Sequence, residues 1–220
     1  MIPCPSNRLK NGSMKEVPLS RYWQRHVHKK FLVCGLGPSL ENLPDEIPDD
    51  IITIGVNHIW ERRQPRYLLL MDRPSAFEKK DKIDVILESE PEAAFISHAV
   101  APLWKKFGME NVVPWMDCSI SLAPDHTIPS WFDRQAQLHI FTMSTTSAIS
   151  LAGFMGASQI GVIGMDLQGH TLMSRLDRID RALMKFNCWL GKQHIDMVNL
   201  SPTSMVESLP FQSIGAFLDE

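Results

Sequence analysis

A three-layer α/β fold with a mostly parallel sheet is the architecture this sequence predicts. Three observations carry it. Short continuous apolar runs recur along the chain, bounded by Gly, Pro, Asn and Asp, as expected of strands buried on both faces. Helical patterns lie between those runs. Glycines, carboxylates and hydroxyls cluster just after the runs, where open parallel sheets bind their ligands. The arrangement is Rossmann-like.

The 220 residues fit one domain, and a chain of that length buries roughly 70% of its unfolded surface without a staple. Residues 1–30 read as a loosely held N-terminal arm, with Pro3, Pro5 and Pro18 and a basic end, and residues 31–220 as a single nucleotide-binding domain. His26 and His28 lack further ligands nearby and read as surface histidines. The strands follow in order: Phe31–Cys34, Ile51–Val56, Tyr67–Met71, Ala93–Ile96, Asn111–Trp115, Leu138–Phe141, Gln159–Ile163 and Ile195–Leu200. Two helices stand out. Thr146–Met155 is apolar nearly all round, as a helix pressed on a sheet should be. In Leu172–Leu190 the apolar positions Leu172, Leu176, Ile179, Leu183, Phe186 and Leu190 draw one stripe. Residues 117–137 are long for a connection and read as a lid or insertion.

Net charge is −3, which argues against a nucleic-acid or anionic-membrane binder. The longest apolar stretch, Ala148–Met165, is broken by Gly153, Gly156, Ser158, Gln159, Gly161 and Gly164 into helix, turn and strand, so no membrane span is expected. The opening residues lack the apolar core of a signal peptide. Cys4, Cys34, Cys118 and Cys188 show no paired or metal-ligating spacing, and read as reduced thiols, three of them in the core. A cytoplasmic location follows as the expectation.

Five post-strand motifs carry the chemistry. In Gly35-Leu36-Gly37-Pro38-Ser39 a strand runs into a glycine turn and a helix start, which reads equally as a place where phosphate, hydroxyl and helix N–H groups meet or as a tight turn that binds nothing. Asn57 follows the second strand and suits a base, a ribose or a loop carbonyl. Asp72 ends the third strand, as a Mg²⁺ or ribose ligand or a helix cap. Ser144 and Thr145 open the apolar helix, capping it and offering hydroxyls to an anion. Gly164-Met165-Asp166 ends the seventh strand, with His170 four residues on. Asp166 suits a metal or substrate, and His170 a general base, its ordinary pKa being near 6.5.

The Gly35–Leu40 turn resembles the GxGPSL opening of two related groups. These are the 6-hydroxymethylpterin diphosphokinase-like family and the small bacterial sialyltransferases that use CMP-sialic acid. Ser144–Asp166 is similar to the second signature of both. Asn57 falls where the sialyltransferases carry a nucleotide-contacting Asn, and Gly169-His170 and Ser201-Pro202-Thr203-Ser204 echo the order around their catalytic histidine. Leu36 replaces an Asn of the sialyltransferases, and no tyrosine follows Asp166 where they place one to assist departure of CMP. The resemblance implies a nucleotide-dependent transferase, with three readings. The first is diphosphokinase-like transfer, with Mg²⁺ on Asp72 or Asp166, ATP as nucleotide and a small-molecule acceptor. The second is glycosyl transfer from a nucleotide sugar of CMP type to a glycan acceptor, with His170 as base. The third is a non-catalytic nucleotide-binding or phage-associated module.

Overall fold

The computed structural model describes residues 17–79, 81–109, 111–119, 137–140, 143–169 and 176–219. Among them, eight strands form one parallel sheet: β1 (Lys29–Cys34), β2 (Ile52–Val56), β3 (Tyr67–Leu70), β4 (Ala93–Ser97), β5 (Val112–Ser119), β6 (Gln137–Ile140), β7 (Ala157–Ile163) and β8 (Asp196–Asn199). Their order is β6-β5-β4-β3-β2-β1-β7-β8. The chain steps outward from β1 to β6, crosses back, and lays β7 on the other side of β1, in register Phe31 with Ile160 and Cys34 with Ile163.

Period-two burial sorts each strand's side chains between two cores. Phe31, Val33, Tyr67, Leu69 and Phe95 face one layer, which holds α4 (Ser144–Phe154) and α5 (Leu176–Lys192). Leu32, Cys34, Leu68, Leu70 and Ile96 face the other, with α1 (Pro74–Glu78), α2 (Ile83–Leu87), α3 (Ala101–Lys106) and α6 (Ile214–Asp219). The expected stripe on α5 is realised: Ile179, Leu183, Phe186 and Leu190 are buried. The helix expected after Gly37 is instead a short 3-10 turn, Pro38–Asn42. Residues 120–136 of the expected lid, and 170–175 before α5, lie outside the described residues.

One expectation is corrected. The arm is not loose over its described part. Leu19 and Tyr22 are buried in the first core, and the backbone N–H groups of Gln24, His26 and His28 donate to the carbonyls of Phe154, Met155 and Gly156. Those are the carbonyls at the C-terminal end of α4, which a helix cannot satisfy by itself. Of the cysteines, Cys34 is buried and its thiol is pushed up to about 12 by burial, whereas Cys188 is exposed on α5; both are free. No described helix is long and apolar enough to cross a membrane.

Trp104 on α3 is fully buried, and its indole Nε1–H donates to the Asp72 carbonyl at 2.9 Å. Trp104→Ala should therefore cost about 4 kcal/mol, and Trp104→Phe, which keeps most of the packing but drops the donor, about 1–2 kcal/mol. Urea unfolding separates the two; equal losses would show that the hydrogen bond, not the packing, holds α3 in place.

Candidate functional site

The topological switch point lies between β1 and β7. The β1–β2 connection packs Leu40 and Leu43 on one face of the sheet, and α5 leaves β7 over the other. Such a point ordinarily opens a ligand crevice. Here the two strand-end loops close on each other. Gly35 N–H donates to the Ile163 carbonyl at 2.8 Å and Gly37 N–H to the Gly164 carbonyl at 2.7 Å. A Cβ on Gly35 would lie 2.8 Å from the Gly164 carbonyl carbon; one on Gly37 would lie 2.7 Å from the Gly164 oxygen and collide with the Asp166 carboxylate. Gly164 itself sits at φ +72°, a conformation that favours glycine. The glycines of both motifs are thus accounted for by the approach of one loop to the other.

Asp166 is the centre of this contact. It is 1% exposed. Its Oδ2 accepts from Ser39 N–H at 2.9 Å and from Ser39 Oγ at 2.8 Å. Its Oδ1 accepts from Ser201 Oγ and from Thr203 Oγ1 at 3.3 Å. A carboxylate offers about four lone-pair directions, and all four are used. Gly164 N–H donates to Ser39 Oγ at 3.0 Å, and Met205 N–H to the Asp166 carbonyl at 3.1 Å. The metal-ligand role read for Asp166 does not fit these bonds, because no lone pair is left for a cation. Asp72 remains a single exposed carboxylate whose carbonyl is held by Trp104. Ser39 likewise spends both its N–H and its hydroxyl inside the protein.

Further polar groups lie along the sheet, toward β2 and β3. Asn57 holds φ +55° at the end of β2, its N–H donating to the Leu69 carbonyl at 3.1 Å. Its side-chain Oδ1 is buried and accepts no hydrogen bond among the described residues, a state that in a native structure calls for a partner such as a water or a ligand. Helix α4 crosses β3, β2, β1 and β7, and its first turn reaches the end of β3, where Ser147 Oγ lies 3.5 Å from Met71 Sδ. The residue before α4 is Met143, so no side chain caps the helix, and Ser144 is half-buried at its mouth. Thr145 is nearly buried, and Thr146 donates back to the Met143 carbonyl at 2.7 Å. Arg62 brings positive charge to the β1 turn, donating to the Leu36 carbonyl at 2.9 Å and pairing with Glu41. His170 lies just outside the described residues, after Gly169 at φ +65°.

Sequence reasoning placed Gly35, Gly37, Pro38, Ser39, Asn57, Asp72, Ser144, Thr145 and Asp166 at strand or helix ends, and the structure places them there. It joins Gly37 and Ser39 to Asp166, and Gly35 to Gly164, by direct contact. It adds Ser201 and Thr203, whose signal was a hydroxyl pair directly after the last strand, and Arg62, which had none. A cavity of about 410 Å³ between the Leu43–Ile51 connection and residues 63–66 is elsewhere: those segments lead into β2 and β3, at the amino ends of the strands.

The fold and these residues define a Rossmann-like α/β protein with polar groups at the carboxyl ends of β2 and β3. No protein family model and no curated protein matches the chain. Among solved structures it is similar to an alpha-2,3-sialyltransferase from Campylobacter jejuni in apo form, at 12% identity and TM-score 0.51, over 84% of this chain and 80% of that one. It is also similar to the sialyltransferase CST-II in complex with trisaccharide acceptor and CMP, at 16% identity and TM-score 0.50, over 83% and 85% of the two chains. At these identities the likeness is one of fold. It falls on the sialyltransferase side of the resemblance; nothing in the comparisons supports the diphosphokinase-like side.

If Asp166 is the knot between three segments, Asp166→Asn should cost about 2–4 kcal/mol in ligand-free protein, since it leaves buried donors unpaired. Gly37→Val should destabilise as well, through the collision with that carboxylate. Thermal unfolding without ligand decides this; an unchanged midpoint in both variants would return these residues to ligand binding.

Proposed function

We propose that this protein is a glycosyltransferase that takes a nucleotide sugar of cytidine type as donor. The observation that carries the reading is the orphaned Asn57 Oδ1 at the end of β2. It is an acceptor with no partner among the described residues, suited to a base amino group or a ribose hydroxyl. The uncapped start of α4, with Ser144 beside it, supplies N–H groups and a hydroxyl for phosphate oxygens. The shared fold with sialyltransferases supports the same assignment.

In this reading His170 takes the proton from the acceptor hydroxyl. The acceptor oxygen forms the new bond to the anomeric carbon, and the bond from that carbon to the donor phosphate breaks, its electron pair leaving with the nucleotide monophosphate. Charge on the departing phosphate is met by the α4 amides and Ser144, since the chain has no tyrosine just after Asp166 to do so. The proposal routes no step through Mg²⁺: Asp166 is committed to Ser39, Ser201 and Thr203, which leaves Asp72 as the other carboxylate read as a metal ligand.

A thermal-shift series with CMP, UMP, ATP and GTP, with and without Mg²⁺, tests the donor. CMP should raise the midpoint, and Asn57→Ala should reduce that shift by lowering affinity about tenfold. Stabilisation by ATP only with Mg²⁺ would overturn the reading in favour of phosphoryl transfer. His170→Ala should lower transfer to a glycan acceptor by about 10²–10⁴-fold while leaving CMP binding intact, and chelation should leave the wild-type rate unchanged.

A further inference from the structure

At the amino end of the sheet, away from every residue assigned above, five side chains form a closed polar cluster. His26 Nε2 lies 2.8 Å from Tyr67 Oη, and Tyr67 Oη donates to Glu92 Oε1 at 3.1 Å. With the Tyr67 proton on Glu92, His26 must donate through Nε2–H, so the three groups form one directed chain. Glu92 also holds two arginines: Arg66 Nε donates to its Oε2 at 2.6 Å, and Arg25 pairs with its Oε1. The arginines stack as well, Arg25 over the Tyr22 ring at 5.0 Å and Arg66 over the Tyr67 ring at 5.7 Å. The far edge of the His26 ring is apolar, facing Phe31 at 6.0 Å.

The cluster holds more than itself. Its members Arg25 and His26 belong to the arm whose N–H groups at Gln24, His26 and His28 cap the Phe154, Met155 and Gly156 carbonyls at 3.1, 2.9 and 3.0 Å. Two of those arm residues, Gln24 and His28, sit at φ +49° and +63°. The arm is therefore held in a conformation that costs local energy and that side-chain contacts must maintain. His26 is the residue that belongs to both sets of bonds.

We propose that Gln24–His28 is an acid-released latch: neutral His26 locks the arm across the end of α4 through Tyr67 and Glu92, and protonation of His26 frees it. The charged and titratable groups facing the imidazole are Arg25 and Lys29 along its own chain, Arg66 and Tyr67 from β3 and the residue before it, and Glu92 from the turn before β4. Three cations against one carboxylate disfavour an imidazolium. Burial, then Arg66 and Arg25, lower His26 to about 4, against an opposing pull from Glu92. Burial raises Glu92, but Arg66 and Arg25 outweigh it and hold it below its usual range, so the carboxylate stays ionised while the histidine titrates.

The direction follows from linkage. A free arm takes up its proton near the ordinary value of 6.5 and a latched arm only near 4. Latching is at full strength above pH about 6.5, weakens as pH falls, and levels off below about 4. At about pH 5 the open fraction should have grown roughly 30-fold. The consequence for the fold is that Phe154, the last residue of α4, and Met155 and Gly156 just after it lose their three external donors.

Hydrogen exchange on the full chain, corrected for intrinsic rates, reads this directly. Amides of residues 24–28 should lose protection by about 30-fold between about pH 7.5 and about pH 5. His26→Gln keeps an N–H donor for Tyr67 but cannot titrate, and should keep its protection at both pH values. A wild-type arm equally protected at both, or a His26→Gln arm that loses protection like the wild type, would overturn the latch. An NMR titration of the wild-type His26 imidazole gives a second reading: a midpoint near 4 supports the proposal and one near 6.5 overturns it.

Discussion

The buried Asp166 carboxylate ties together three stretches that are far apart in sequence: the turn after β1, the loop after β7 and the segment after β8. An isolated carboxylate at 1% exposure would be too costly to keep. Four hydrogen bonds from Ser39, Ser201 and Thr203 make it tolerable, and in doing so dictate their surroundings. Ser39 must approach within hydrogen-bond reach, so Gly35 and Gly37 must carry no side chain against Gly164. The chain beyond Ser39 must turn at once, so Pro38–Asn42 is a short 3-10 turn. Ser201 and Thr203 must follow β8 directly, which fixes where the last strand ends.

That knot also decides where a ligand can go. In an open α/β sheet the crevice at the switch point is the natural site, but here it is filled by the protein's own backbone. The nearest unsatisfied polar group lies one strand over, at Asn57, and the nearest uncapped helix of length is α4, whose first turn reaches the end of β3. The inner loops therefore form a floor, and the proposed nucleotide site lies beside them, toward β2 and β3. Rigidity suits that role, because a site is only as well placed as the side chains behind it.

The sheet was legible in the sequence because strands buried on both faces have to be continuous apolar runs, and all eight expected runs are strands. Both long helices were legible for the same kind of reason, an apolar face repeating at helical period. The purpose of the glycine motifs was not. A glycine turn that lets a phosphate approach and one that lets another loop approach have the same sequence, and only the position of Gly164 and Asp166 distinguishes them. His26 was misread for a parallel reason. Its partners Tyr67 and Glu92 lie 41 and 66 positions away, and nothing local to His26-Val27-His28 announces them. The pairing that β3 and β4 impose brings them together at the amino end of the sheet.

The two ends of α4 consequently live under different rules. Its N-terminus, at the carboxyl ends of the strands, has no side-chain cap and faces open polar groups, the state in which an anion can complete it. Its C-terminus is completed already, by N–H groups of the arm, and the arm is held by a half-buried histidine among cations. A helix of eleven residues pressed against the sheet cannot bend to accommodate one end without involving the other. The arm therefore belongs with the domain rather than before it, since the helix that would receive a ligand is finished only when residues 24–28 lie across it.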